Sequence, residues 1–419
     1  MKKTAIGVIG IGMAFSAAVW ADGEAASAIN RLGWALLADT RGTPANVLIS
    51  PYSIQSALAM AYAGASGQTR DEMRTALFYP EGEAALHRSF SALRAELLQL
   101  ADETARSGAA DPGDRKQRGS IELAVAHRLF GQRGYPFRSE FLELMESVYE
   151  APFETCDFKS NPEGERVKIN GWVADRTRSR IQDLIPAGGI LADTRLVLVN
   201  ALYMKAPWME PFDERNTRPL PFWVGGHEQV PVPTMVRTAQ YRVKKGQGYT
   251  AVSIPFTGGG LHLVAIVPDD PSGLSAVEAS LTVDDFSSAA DAPFAEAVLF
   301  LPKLKIESPS IPLKPALVEL GMRSAFDVPA GSANFDRIAP RRPDDYLFID
   351  QVYHKTFFEM DERGAEAAAA SAVVMVRATA APIPKPKPIE IRVDRPFVFA
   401  VQHFPSRAFL FLGRISDPR

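Results

Sequence analysis

Along residues 25–37 apolar side chains recur every three or four positions, the period of a helix with one buried face. A second helix is predicted from 52 to 65, with Ser50 as its cap, Pro51 in the first turn, an alanine-rich face, and Gly64 and Gly67 at its end. Thr69 is placed to cap a third, with Asp71 and Glu72 in its first turn. The same spacing predicts helices at 139–150, 170–185, 274–281 and 313–320, and strands at 122–130, 195–203, 250–255, 261–267, 297–305, 347–359, 397–404 and 408–415. The stretch RLVLVNALY, 195–203, is apolar on both faces, as a central strand of a covered sheet must be. Residues 102–119 mix charges of both signs and read as an exposed polar loop. No repeat and no linker divides the chain, so the pattern predicts one α+β domain with several sheets. One stretch fits neither period cleanly. GAEAAAASAVVMV, 364–376, carries one charge and no proline; its alanines favour helix and its valines favour strand.

Composition narrows the function. The 419 residues carry a net charge of −3, too small for nucleic acid or an anionic membrane to be the main partner. Lys2 and Lys3 precede an uncharged apolar run, and Val19, Trp20 and Ala21 offer a cleavage site. Residues 1–21 therefore read as a signal peptide, the protein as secreted or periplasmic, and the mature chain as free of the membrane. Cys156 is the only cysteine, so no internal disulfide is expected and stability must come from the core. With no histidine nearby in sequence, it reads as a buried or half-buried bystander.

Catalytic patterns are missing. The chain has no HExxH, P-loop, CxxC or SxxK, and residues 64–67, GASG, fall one short of a nucleophile elbow. His87, His127, His227, His262, His354 and His403 are scattered singly. Neither an enzyme nor a bound metal or cofactor is expected.

Six segments together carry a resemblance. They are NVLISPYSIQSALAMAYAGASGQT (46–69), INGWVADRTRSRIQDLI (169–185), TRLVLVNALYMKAPWMEPFDERNT (194–217), FLPKLKIES (300–308), EMDERGAEAAAASAVVMV (359–376) and DRPFVFAVQHFPSRAFLFLGRISDP (394–418). In this order, from about residue 25 to 418, the chain resembles the serpins. The resemblance implies a single serpin-type domain, 22–419, of α+β class with three β-sheets, about nine helices and an exposed reactive-centre loop at about 362–395. It implies a suicide-substrate inhibitor of serine proteases. The loop is cleaved, the protease is left as a covalent acyl-enzyme, and the freed loop inserts as a new central strand of the large sheet. The partner is then a serine protease, the protein acts as a monomer, and no cofactor is needed.

The ambiguous stretch suits that task. A strand shows alternate residues to each face. One set is Ala365, Ala367, Ala369, Ser371, Val373 and Met375; the other is Glu366, Ala368, Ala370, Ala372, Val374 and Val376. The lone charge falls on the second set, which can face solvent, and every N–H is available to a ladder. Holding an acyl-enzyme ~10⁵ longer takes ~7 kcal/mol of barrier. About a dozen strand hydrogen bonds at ~0.5–1.5 kcal/mol each are enough.

The resemblance also assigns roles. Glu362, Gly364, Ala365, Glu366, Ala367, Ala368, Ala369 and Ala370 match the hinge of the loop. Glu362 would pair with Lys303 at the sheet opening, where Trp208 also lies. Ser50, Ser53, Asn200 and His354 match the polar cluster that controls strand separation. Counting from Glu362 puts the scissile bond at Ala378–Thr379, among small aliphatic residues that suit an elastase-like pocket; Arg377 is the alternative and would suit a trypsin-like one. Ala365, Ala206–Pro207 and the long PIPKPKP (382–388) depart from the usual pattern. The competing function is a non-inhibitory carrier or chaperone, which usually has bulky, charged or proline residues in the hinge.

Overall fold

The first helix, α1 (Glu24–Asp39), buries Ala28, Ile29, Leu32 and Leu36 at the expected spacing. It belongs to a computed structural model that describes residues 23–42, 46–109, 119–365 and 387–419, with only the backbone at 108, 109, 125, 126 and 200. The expected signal 1–21 and the loop residues Glu366, Ala367, Ala368, Ala369, Ala370, Arg377, Ala378 and Thr379 lie outside the described residues.

After β1 (Val47–Ile49), Ser50 caps α2 (Pro51–Gly64) by accepting the Ser53 N–H, with Pro51 in the first turn. Nearly every residue of α2 is buried, because it packs on both main sheets. There follow α3 (Gly67–Ala76), α4 (Glu83–Ala109), β2 (Glu122–Gln132), α5 (Ser139–Tyr149), β3 (Phe153–Cys156), α6 (Pro162–Arg176) and β4 (Leu196–Pro207). Next come β5 (Arg218–Val224), β6 (Glu228–Lys245), β7 (Tyr249–Pro255), β8 (Leu261–Pro268), α7 (Leu274–Ser280), α8 (Val283–Ala290), β9 (Phe294–Pro302), β10 (Leu304–Glu307), β11 (Ile311–Pro312) and α9 (Lys314–Glu319). The chain closes with β12 (Tyr353–His354), β13 (Phe357–Asp361), β14 (Gly364–Ala365), β15 (Ile389–Arg392), β16 (Phe397–His403) and β17 (Phe409–Ile415).

The described strands form three sheets. One runs β1-β17-β16-β8-β7-β6-β9-β15, with β5 also on β6, and has nine strands. The second runs β10-β13-β14-β4-β2-β3, and β11 and β12 make a small third. The main core lies between the two large sheets around α2. A second apolar cluster seals the opposite face of the six-stranded sheet, where Ile169 and Val173 of α6 meet Phe130, Val199 and Ala201.

Several sequence expectations are corrected. Thr69 lies inside α3, whose cap position is Ser66; the Thr69 hydroxyl instead accepts the Asn334 N–H at 3.0 Å. The polar stretch 102–119 is helical as far as Ala109, because one face is buried: Thr104 is 5% exposed and its hydroxyl takes the Ile121 N–H. The helix expected over 170–185 starts earlier and stops at Arg176. There the Thr177 hydroxyl donates to the Val173 carbonyl and accepts the Ile181 N–H, and Arg178 and Ser179 turn left-handed. The strand expected over 297–305 breaks at Lys303, and that over 347–359 is reduced to β12 and β13. Pattern reading missed the β5–β6 hairpin because prolines demote a strand. Here they face each other across the ladder, Pro219 with Pro233 and Pro221 with Pro231, on rungs that require no N–H.

Candidate functional site

Lys303 is the one residue between β9 and β10, the point where the chain passes from the nine-stranded to the six-stranded sheet. Its N–H donates to the Pro233 carbonyl at 2.9 Å, which fixes the stem. Its ammonium reaches Glu362 Oε2 at 2.9 Å, and the Thr217 hydroxyl donates to Oε1 of the same carboxylate at 2.7 Å. Glu362 is only 6% exposed while the Lys303 side chain stays partly open to solvent, so the pair is half-buried. Burial alone would raise its pKa; the hydrogen bonds from Lys303 and Thr217 outweigh that and hold it below the usual range.

Glu362 and Arg363 form a two-residue turn, since Asp361 pairs with Gly364 across the β13–β14 ladder. Asp361 Oδ1 accepts the Arg363 N–H at 2.8 Å. Burial pushes the Asp361 carboxyl above its ordinary range. Trp208 backs the turn. Its ring stacks on Phe256 at 4.5 Å, its indole N–H donates to the Asp361 carbonyl at 2.9 Å, and its backbone N–H donates to the Arg363 carbonyl at 2.8 Å.

Beyond the turn, β14 lies between β13 and β4, pairing Ala365 with Met360 on one side and Ala206 on the other. All three side chains are buried. Gly364 has φ +146, and a Cβ there would stand 2.3 Å from the Ala206 carbonyl oxygen. No side chain fits. Gly364 and Ala365 of the expected hinge are thus strand, not exposed loop, and they hold β13 and β4 one strand apart. The sheet they join is the six-stranded one, which is not the sheet with the most strands.

Lower down, the Ser50 N–H donates to His354 Nε2 at 3.0 Å, so this nitrogen is the unprotonated one. Burial drives the His354 pKa down to about 4. The structure therefore brings Ser50, Ser53 and His354 together at the start of α2. Asn200 lies on β4 opposite His127, and its side chain is outside the described residues. A cavity of ≈ 220 Å³ lies between Arg195 with residues 196–199 of β4 and the segment 346–354, floored by Ser53, Ile54 and Leu58 of α2. Sequence reasoning assigned no role to Thr217, Phe256 or Asp361, although Thr217 and Asp361 lie within the quoted segments, because the three meet only in three dimensions.

Cys156 is fully buried, and burial together with Glu165 pushes its thiol up to about 12, so it is inert. No three metal-ligand residues cluster among the described residues.

A family profile described as "Serpin (serine protease inhibitor)" matches residues 27–418. The chain belongs to the serpin family. Serpin B6 of Macaca fascicularis is 34% identical over 380 residues, 89% of this serpin and 93% of the relative. Leukocyte elastase inhibitor of Bos taurus is 33% identical over 389 residues, 90% of this chain and 95% of the relative. The loop-inserted structure of a cleaved ovalbumin mutant superposes with a TM-score of 0.78 at 24% identity, covering 94% of this serpin and 100% of that chain, a likeness of fold alone. The α+β serpin fold and its nine α-helices among the described residues are as expected. The bare expectation of no enzyme, drawn from missing catalytic motifs, needs correction. Those motifs decide nothing here; what replaces that expectation is membership of a family described as serine protease inhibitors.

Proposed function

We propose that this serpin is a single-use inhibitor of serine proteases with an elastase-like preference, trapping its target as an acyl-enzyme by strand insertion between β4 and β13. The observation that carries the reading is β14. Gly364 and Ala365 already pair with both β13 and β4, a register that an inserting strand could continue. If an inserted strand kept that register, Ala367 would fall between Phe358 and Met204, Ala369 between Thr356 and Leu202, Ser371 between His354 and Asn200, and Val373 between Val352 and Leu198. Phe358, Met204, Thr356 and Leu202 are all buried, so this face needs small or apolar side chains, and the sequence supplies them. In the same register Glu366 would fall on the other face, between Glu359 and Lys205. The deep end of the strand reaches the cavity beside Leu196–Val199. Strand addition of this kind is a recurring recognition mode, in which the ladder supplies energy and alternate pockets supply fit.

The reaction balances without a cofactor. The protease serine hydroxyl attacks the Ala378 carbonyl, the bond to Thr379 breaks, and Thr379 leaves as a free amine carrying the transferred proton. The ester that remains is carried away from its oxyanion hole by insertion of 366–376. A relative named as an elastase inhibitor supports the preference for small aliphatic residues at the cleaved bond. The reading includes export after loss of residues 1–21 and action as a monomer.

A denaturing gel with elastase-like and trypsin-like proteases tests it. A band at the summed mass with the elastase-like enzyme supports the reading. Cleavage without such a band indicates a carrier instead. The mass of the released fragment distinguishes Ala378–Thr379 from a cut after Arg377, and intact mass of the exported protein tests the cleavage after Ala21.

A further inference from the structure

Resting on the strand-insertion reading, we propose that the turn 178–180 is a two-armed staple across the insertion path, and that Arg178 and Arg180 are positioning residues that set the rate of insertion. The turn follows α6, where Arg178 (φ 51) and Ser179 (φ 61) both adopt left-handed backbone. Two successive non-glycine residues in that region are disfavoured and persist only where their surroundings hold them. The arms show what holds them. The Arg178 guanidinium pairs with Glu122 on β2 and lies 5.5 Å over the ring of Tyr203 on β4. Glu122 also takes the Lys205 ammonium at 3.1 Å. The Arg180 guanidinium goes to the other side. It sits 4.7 Å over the ring of Phe357 and 3.7 Å from Glu359, both on β13.

Register puts all these anchors on one face. Ala365 pairs with Met360 and Ala206, so the alternate residues Phe357, Glu359, Tyr203 and Lys205 project together from the opposite face, and Glu122 pairs with Lys205. β4 and β13 stand two strand spacings apart, ~10 Å. A three-residue turn with arms pointing both ways spans that distance. Its base is fixed by the Thr177 hydroxyl and by the Ser179 N–H donating to the Ala174 carbonyl at 2.7 Å. A strand sliding between β4 and β13 must pass beneath the turn and lift at least one arm. Both arms combine an ion pair with a cation–π contact on a partly exposed surface, the combination that salt weakens only in part.

The test uses the full-length protein and a fluorescently labelled peptide of sequence AEAAAASAVVMV, residues 365–376. Annealing of the peptide reads strand insertion without any protease. The double variant Arg178→Ala/Arg180→Ala is expected to anneal it roughly five to thirty times faster than wild type. The lysine double variant, which keeps charge but loses stacking, is expected in between. Arg176→Ala, an exposed arginine at the end of α6 with neither arm's contacts, should behave as wild type. Wild-type annealing should quicken with salt, and that of the alanine double variant should not. Unchanged or slower annealing in the alanine variant, or an identical salt response, overturns the staple while leaving the inhibitor reading intact if wild type still forms a protease complex. Failure of the peptide to anneal to any form, with no protease complex, removes the insertion reading and the staple together.

Discussion

Protonating His354 should loosen the polar cluster at the start of α2. Its pKa lies near 4 rather than 6.5 because the ring is buried, and its Nε2 lone pair receives the Ser50 N–H at 3.0 Å. A folded value below the unfolded one means that the unfolded chain takes up the proton first. Stability therefore falls as pH drops through 6.5 and levels off below about 4. At ~1.4 kcal/mol per pH unit the full effect is ~3 kcal/mol, and about 2 kcal/mol of it is lost by about pH 5. Three other buried rings also have lowered values, His127 near 3 and His262 and His403 near 4, so acid destabilises the protein at several places at once. The variant His354→Gln isolates one of them, because glutamine keeps an acceptor for the Ser50 N–H and does not titrate. Guanidinium titration of the first unfolding transition at about pH 7.5 and about pH 5 is the assay. Wild type should lose ~2 kcal/mol more than the variant across that interval. Equal losses would refute the assignment of a buried, neutral His354, and with it the idea that this cluster resists strand separation through one hydrogen bond.

Other consequences follow from the hinge. Ala365→Arg would place a charge among Ala206 and Met360, both essentially inaccessible, and insertion should fail; the gel should show cleaved inhibitor in place of complex, and an unchanged complex yield would contradict the projected register. Gly364→Ala brings a Cβ to 2.3 Å from the Ala206 oxygen, 2.6 Å from Pro207 Cα and 2.8 Å from Trp208 N. With the positive φ, this should cost β14 about 2–4 kcal/mol, read as increased proteolysis and hydrogen exchange at residues 361–365. Lys303→Ala strands the buried Glu362 carboxylate, whose lowered pKa means that its contribution is present above the ordinary glutamate range and is lost as pH falls below it. The stability difference between wild type and this variant should accordingly shrink below about pH 4, while Asp361, whose pKa is raised, acts in the opposite sense and is removed by Asp361→Asn.

The amino-acid sequence alone determined the local rules of this serpin. Ser50–Pro51 starts α2 because a hydroxyl and a ring without N–H both suit a first turn, and 195–203 is central because both its faces are apolar. The alternation of 365–376 likewise follows from a period of two. The Lys303–Glu362 pair was legible only through family resemblance, since the two residues are 59 apart. What the sequence could not show is which edges meet. The break at Lys303 interrupts an apolar run that looks continuous, because the two halves join different sheets. The helix that ends at Arg176 continues in pattern to 185, because the alternation that serves a helix face serves equally to send Arg178 toward β2 and β4 and Arg180 toward β13 on one face of the sheet. Hydrogen-bond partners such as Thr217 for Glu362, and the turn that folds Gly364 back between β13 and β4, depend on strands brought together across 150 residues or so of chain, as Phe357–Asp361 and Leu196–Pro207 are. Periodicity records which face of an element is buried; only the packed structure chooses what lies against it, because apolar surfaces attract without direction, and hydrogen-bonded edges accept any strand that register and sterics allow.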